Sequence, residues 1–220
     1  MPNFAGMKQI VDLATWPRRE YFEFFSAYEE PFFGVQAEVE CGPALAEARR
    51  RGVSFFLYYT YCSLLALNAL PEMRYRVVDG QVVLFEQVHG APTIGRPDNS
   101  FGFALLEMRP TLAEFVTAAQ VEIAAVQAST GLRLIENNNR PDTVHASTLP
   151  WVRFTGLSHA RRFGKADTCP KLSFGQVYEQ GTARLMPVSI HVHHGFADGY
   201  HVGRFLSHFQ ELLQQTDTTF

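Results

Sequence analysis

The chain has 220 residues, 46% of them apolar, enough for one substantial core. Its formal net charge of −3 carries both signs scattered along the sequence, which leaves no basic stripe for nucleic acid and no acidic tail. Cys41, Cys62 and Cys169 are odd in number and widely spaced, so they form neither a disulfide framework nor a zinc ligand set, and a reducing, cytoplasmic setting fits them best. From Met1 to Lys8 no charged segment leads into an apolar one, so no signal peptide is expected. Pro17 to Tyr28 predicts an aromatic-rich helix with Thr15 as cap and Pro17 in the first turn. Phe33 to Val39 reads as a strand and Pro43 to Arg51 as a short helix. Val53 to Leu70 is uncharged and just long enough to be weighed as a membrane span. Its Ser54, Thr60, Ser63 and Asn68, and its aromatic first half, make a buried core helix the better reading. Arg76 to Phe85 predicts a hairpin turning at Asp79-Gly80, and Phe101 to Met108 another strand. Thr111-Leu-Ala-Glu114 is a capping box that opens a helix with Leu112, Phe115, Val116, Ala119, Ile123 and Val126 on one face. Asn137 to Asp142 is read as a loop, followed by strands near Lys171 to Glu179 and Ala183 to His193. A closing helix places Val202, Phe205, Leu206, Phe209, Leu212 and Leu213 on one face. Helices and strands interleave without regular alternation, which predicts an α/β fold with a mixed or largely antiparallel sheet flanked by helices. No linker divides the chain, so residues 1–220 are expected to form one domain.

The segment richest in chemistry is Val188-Ser-Ile-His191-Val-His193-His194-Gly-Phe-Ala-Asp198-Gly199. Strand alternation puts Val188, Ile190, Val192 and His194 on an apolar face, and Ser189, His191 and His193 on the other. An imidazole at the margin of an apolar environment tends to stay neutral, as a general base must. The competing reading is a satisfied core or surface histidine. A metal site built from His191, His193, His194 and Asp198 is weaker, because His194 points away from the other two imidazoles.

His194-Gly-Phe-Ala-Asp198-Gly199 has the H-x-x-x-D-G pattern of CoA-dependent acyltransferases. Four further segments resemble the chloramphenicol acetyltransferase family in the family's order: Trp16-Pro-Arg18-Arg-Glu20-Tyr-Phe22-Glu, Pro71-Glu72-Met-Arg74 with Asp79-Gly80, Ser147-Thr-Leu-Pro150-Trp151, and Leu185-Met-Pro187-Val. The resemblance spans nearly the whole chain. It implies a mixed sheet flanked by helices, assembled as a homotrimer with active sites between subunits. It implies no metal and no bound cofactor, with acetyl-CoA as cosubstrate, and gives no reason to expect a membrane or nucleic-acid partner.

The roles implied are these. His194 takes a proton from the acceptor hydroxyl, whose oxygen attacks acetyl-CoA directly in a ternary complex. Ser147 hydrogen-bonds the developing oxyanion; without the resemblance it would be read as a loop or cap hydroxyl. Asp198 pairs with Arg18 and so fixes the turn that carries His194. Ser173 stands where relatives usually have a Thr that helps hold a water near the oxyanion. Phe24, Phe25, Phe103 (or Phe101) and Leu157 offer an apolar acceptor pocket, with His159 nearby. Ser54 replaces a lysine that relatives use toward CoA phosphate, Gln176 replaces a basic residue, and Arg49 to Arg51 are the nearest substitutes. The function implied is O-acetylation of chloramphenicol or a similar xenobiotic. The alternatives are the same chemistry on another alcohol or amine, or a silent trimeric ligand-binding relative.

Overall fold

The computed structural model describes residues 8–134, 140–161 and 167–215. The segment Met1 to Met7 and Asn137 to Asn139 of the expected loop lie outside the described residues. Ten strands and five α-helices follow one another in these parts. The strands are β1 (Lys8–Ile10), β2 (Phe32–Glu40), β3 (Tyr75–Val78), β4 (Gln81–Phe85), β5 (His89–Gly95), β6 (Phe101–Phe103), β7 (Thr143–Thr148), β8 (Lys171–Phe174), β9 (Tyr178–Gln180) and β10 (Ala183–His193). The helices are α1 (Arg19–Ser26), α2 (Gly42–Arg50), α3 (Phe55–Asn68), α4 (Leu112–Gln127) and α5 (Gly199–Gln214).

The main sheet runs β2-β10-β8-β7-β5-β6, with β9 paired to the start of β10. β7 is parallel to both β5 and β8, and the other pairings in this sheet are antiparallel, so the sheet is mixed as expected. A small sheet β1-β4-β3 holds the hairpin, whose turn residues Asp79 and Gly80 have φ of 52° and 77°, the left-handed pair such a turn requires.

Helix α3 is the centre of the core. Ten of its fourteen residues are buried, on all sides, so it packs inside the protein. At 14 residues it is about 21 Å long, short of the roughly 30 Å of a bilayer's hydrocarbon layer. Among the described residues no helix is long and apolar enough to cross a membrane. Leu172 and Phe174 of β8 and Val188, Ile190 and Val192 of β10 pack toward α3 and α5 on one face of the sheet. Thr111 caps α4, accepting from Glu114 N–H at 3.2 Å, while the Glu114 carboxylate accepts from Thr111 N–H at 3.3 Å.

Several expectations need correction. The first helix begins at Arg19, because the Thr15 hydroxyl bonds Asp12 and caps nothing. The strand expected over Phe101 to Met108 ends at Phe103, with only a bridge from Leu106 to Gly90 beyond it. The strand expected over Lys171 to Glu179 breaks after Phe174, where Gly175 N–H crosses to Pro187 and Gln176 N–H to Val152. Strands β1, β5 and β7 were not expected. Ser147 consequently lies in a strand, not in a loop.

Candidate active site

Trp16 anchors the N-terminal part of the site. It packs against Phe22, Tyr75 and Phe196, and Phe22 stacks on Phe196 with ring centroids 5.2 Å apart. This apolar cluster brings the start of α1 to the turn between β10 and α5. There Arg18 Nη1 donates to Asp198 Oδ2 at 3.0 Å. Its Nε and Nη2 point at the carbonyls of Gly195 and His194, at 3.3 and 3.4 Å. One guanidinium therefore spans both ends of the segment His194 to Asp198.

Asp198 also caps α5, where its Oδ1 accepts from Tyr200 N–H at 3.0 Å. Burial by itself would raise its pKa; the hydrogen bond from Arg18 and the charge and hydrogen bond of His201 outweigh that and hold the carboxyl below its usual range.

His194 lies just past the end of β10, on the side where Phe33 of β2 joins the core. Its own N–H donates to the Pro31 carbonyl at 2.8 Å, and its ring stacks on Phe25 at 3.9 Å with an interplanar angle of 5°. Phe33 stands on it at 4.5 Å. Nδ1 is buried and has no hydrogen-bond partner among the described residues. Phe24 is exposed beside Phe25, edge to face at 5.1 Å.

A second group of side chains gathers on the sheet face opposite α3. Ser147, Ser173 and Ser189 are register partners across β7, β8 and β10. His145, Lys171 and His191 form the next row. Ser173 is fully buried and its hydroxyl lies 3.4 Å from His159 Nε2. Leu157 arrives on the same covering segment, its carbonyl accepting from Gln36 at 3.4 Å. Burial, then the neighbouring His191 and Lys171, push His159 down to about 4, so it is uncharged at neutral pH. Lys171 is paired with Asp167 at 2.7 Å, and Arg161 lies over the Phe32 ring and contacts Glu30. Phe103 sits in β6 opposite Thr93 of β5, on the far side of β7 from Ser173.

The two groups do not meet within one chain. His194 is five residues beyond Ser189 and two strands away from Ser147, about 20 Å by the rise and spacing of extended strands. Arg18, Asp198 and Phe25, with Phe24 beside it, gather around His194, while Ser173 stands next to Ser147 with His159 beside it, and Leu157 lies farther along the same face, at Gln36 of β2. Among the described residues no cluster of His, Cys, Asp and Glu is arranged to hold a metal ion. His193 instead accepts from Gly195 N–H at 3.1 Å, and His191 bonds Ser189 at 3.3 Å. Arg50 and Arg51 both bond Glu47, and Ser54 precedes α3 without a side-chain cap bond.

Two neighbours of the site were missed in the sequence. Phe33 gave no signal beyond its place in a strand. His201 stands three residues after Asp198, the spacing of a capping box, but with an imidazole where Glu or Gln is the usual sign.

The family model described as chloramphenicol acetyltransferase matches residues 7–210. A chloramphenicol acetyltransferase of Proteus mirabilis is 27% identical over 207 residues, covering 94% of each chain. Chloramphenicol acetyltransferase 2 of Escherichia coli is 28% identical over 203 residues, covering 91% of this chain and 94% of the relative. A solved chloramphenicol acetyltransferase structure superposes with a TM-score of 0.87 at 30% identity, covering 94% of this chain and all of the other.

Proposed function

Because the chain belongs to the chloramphenicol acetyltransferase family, we propose that it transfers the acetyl group of acetyl-CoA to a hydroxyl of chloramphenicol or a similar hydroxylated xenobiotic. His194 takes the proton from that hydroxyl, and the oxygen adds to the thioester carbonyl. The Ser147 hydroxyl donates to the oxyanion that forms, where a preorganised donor is most effective. Collapse of the adduct breaks the carbon–sulfur bond, and the CoA sulfur recovers the proton from His194. No acyl-enzyme is involved. Ser173 supports the oxyanion side of the site, and Arg18 and Asp198 hold the turn behind His194.

The observation that carries this reading is the clamp of Arg18 on Asp198 and on the carbonyls of His194 and Gly195. It fixes the position of a stacked imidazole whose Nδ1 is enclosed, leaving the other nitrogen for the proton. The separation of Ser147 from His194 within one chain supports a homotrimer whose sites form between copies. Unpaired Cys41, Cys62 and Cys169 support work in the cytoplasm. The polar face around His159 favours a second reading, the same chemistry on a more polar alcohol.

A CoA thiol-release assay with chloramphenicol tests the reaction, and no release above the uncatalysed rate refutes it. Co-expression of Ser147→Ala with His194→Ala tests the shared site. Each variant alone is impaired, but one quarter of the interfaces in a random mixture pair an intact serine with an intact histidine, so about a quarter of the activity returns. A mixture no better than its components places both residues in one chain's site.

A further inference from the structure

We infer that His201 is a positioning residue for the transfer reaction, acting on His194 through Asp198 and Arg18; this rests on the acetyl-transfer reading above. The two oxygens of Asp198 are taken from opposite sides. Oδ2 accepts from Arg18 at 3.0 Å. Oδ1 lies 2.8 Å from His201 Nδ1 and accepts from Tyr200 N–H at 3.0 Å. The same Nδ1 is 3.3 Å from Asp198 N–H, and one ring nitrogen cannot donate to the carboxylate and accept from the amide at once. The shorter contact decides, so Nδ1 carries the proton and donates to Asp198. On the far side of the ring, Nε2 is 3.6 Å from Glu72 Oε1. His201 is thereby wedged between the carboxylate that caps α5 and the 3₁₀ turn Pro71–Met73.

Tyr200 N–H alone holds Oδ1 through a single bond, about which the carboxylate can still tilt. The shorter contact from His201 adds a second direction at that oxygen, so Oδ2 meets Arg18 at a fixed angle. The two remaining contacts of Arg18, to the carbonyls of His194 and Gly195, are long, and a small rotation of the guanidinium loses them first. Those carbonyls belong to the residue that bears the base and to its neighbour. Reaction rates respond steeply to such displacements. An ordinary helix cap needs only the Tyr200 N–H bond, which does not involve His201.

Substitution separates positioning from capping. Asparagine places an amide N–H near the position of Nδ1, whereas glutamine reaches toward that of Nε2. His201→Ala is expected to lower kcat about tenfold or more with both KM values within about twofold. His201→Asn is expected to restore most of kcat, and His201→Gln to leave it low. Equal kcat in His201→Ala and the parent, or equal rescue by Asn and Gln, overturns the proposal. A second measurement does not depend on activity. The energetic coupling between Arg18 and Asp198, taken from unfolding of Arg18→Met, Asp198→Asn and the double variant, is expected to fall by at least half in a His201→Ala background and to persist with His201→Asn. Unchanged coupling overturns the proposal. A parent inactive on chloramphenicol with coupling lost as expected refutes the acetyl-transfer reading alone.

Discussion

Replacing Arg18 by Met and Asp198 by Asn isolates the bond that ties α1 to the turn before α5. The side chains of Arg18 and Asp198 are 14% and 33% exposed, between a surface pair and a buried one. Surface pairs contribute about 0–1 kcal/mol, while breaking a fully buried pair costs about 3–5 kcal/mol. Arg18→Met removes the charged bond together with the two long carbonyl contacts, so a loss of about 2 kcal/mol is expected. Asp198→Asn keeps an N-cap of comparable quality and a neutral acceptor, so a loss of about 1 kcal/mol is expected. The double variant should then be less stable than the parent by about 1 kcal/mol less than the two losses together. Urea midpoints measured at one protomer concentration give all three values. The acid limb gives an independent sign. The folded pKa of Asp198 is depressed, so its contribution is complete above its unfolded pKa near about 4 and is lost as pH falls through the lower folded value. Asp198→Asn should flatten that limb. Losses that add within about 0.3 kcal/mol, with an unaltered acid limb, would refute the coupling.

His194→Ala should lower kcat by roughly 10²–10⁴ with little change in either KM, as steady-state thiol release would show. Ser147→Ala should cost roughly 10²–10³ in kcat while the urea midpoint holds, and an unchanged kcat returns Ser147 to an ordinary strand hydroxyl. Gly34 faces His191 across β2 and β10, and a Cβ there would stand 2.2 Å from the imidazole Nε2. Gly34→Ala should therefore destabilise the protein by about 1–3 kcal/mol, and an unchanged urea midpoint would show that the ring moves away freely.

Local chemistry made much of the fold legible. The Thr111 capping box, the Asp79-Gly80 turn and the uncharged, aromatic-rich run of α3 each state their structure within a few residues. Strands β5 and β7 were hidden for opposite reasons. His89-Gly-Ala-Pro-Thr-Ile-Gly95 carries the breakers of a turn, yet it is a buried strand whose Pro92 contributes a carbonyl to Ala104 N–H. Thr143 to Thr148 is too polar to resemble the apolar runs of most parallel strands, because one of its faces meets the His145–Lys171–His191 row. The pairing of Arg18 with Asp198 joins residues 180 positions apart, and only the resemblance brought them together. His201 was passed over because its side chain is not one that the capping-box pattern names.

The two separated groups of side chains also divide the work of recognising an acceptor in the proposed shared site. One copy supplies the base with an aromatic wall, Phe24 and Phe25, on a helix that buries none of its residues within the chain. The neighbouring copy supplies Ser147 on a sheet face of serines and imidazoles. Burial lowers the pKa of His191 and, with the neighbouring His191 and Lys171, takes His159 to about 4, so these two rings are hydrogen-bonding groups without charge at neutral pH. Lys171 and Arg161 on the same face are already matched by Asp167 and Glu30. A wall of this kind has no unbalanced charge to offer an anion and does not exclude polar atoms. It suits an uncharged acceptor with a flat apolar body toward Phe25 and hydrogen-bonding groups toward His159. Neither wall alone would recognise such a molecule, so specificity as well as catalysis would depend on the contact between copies.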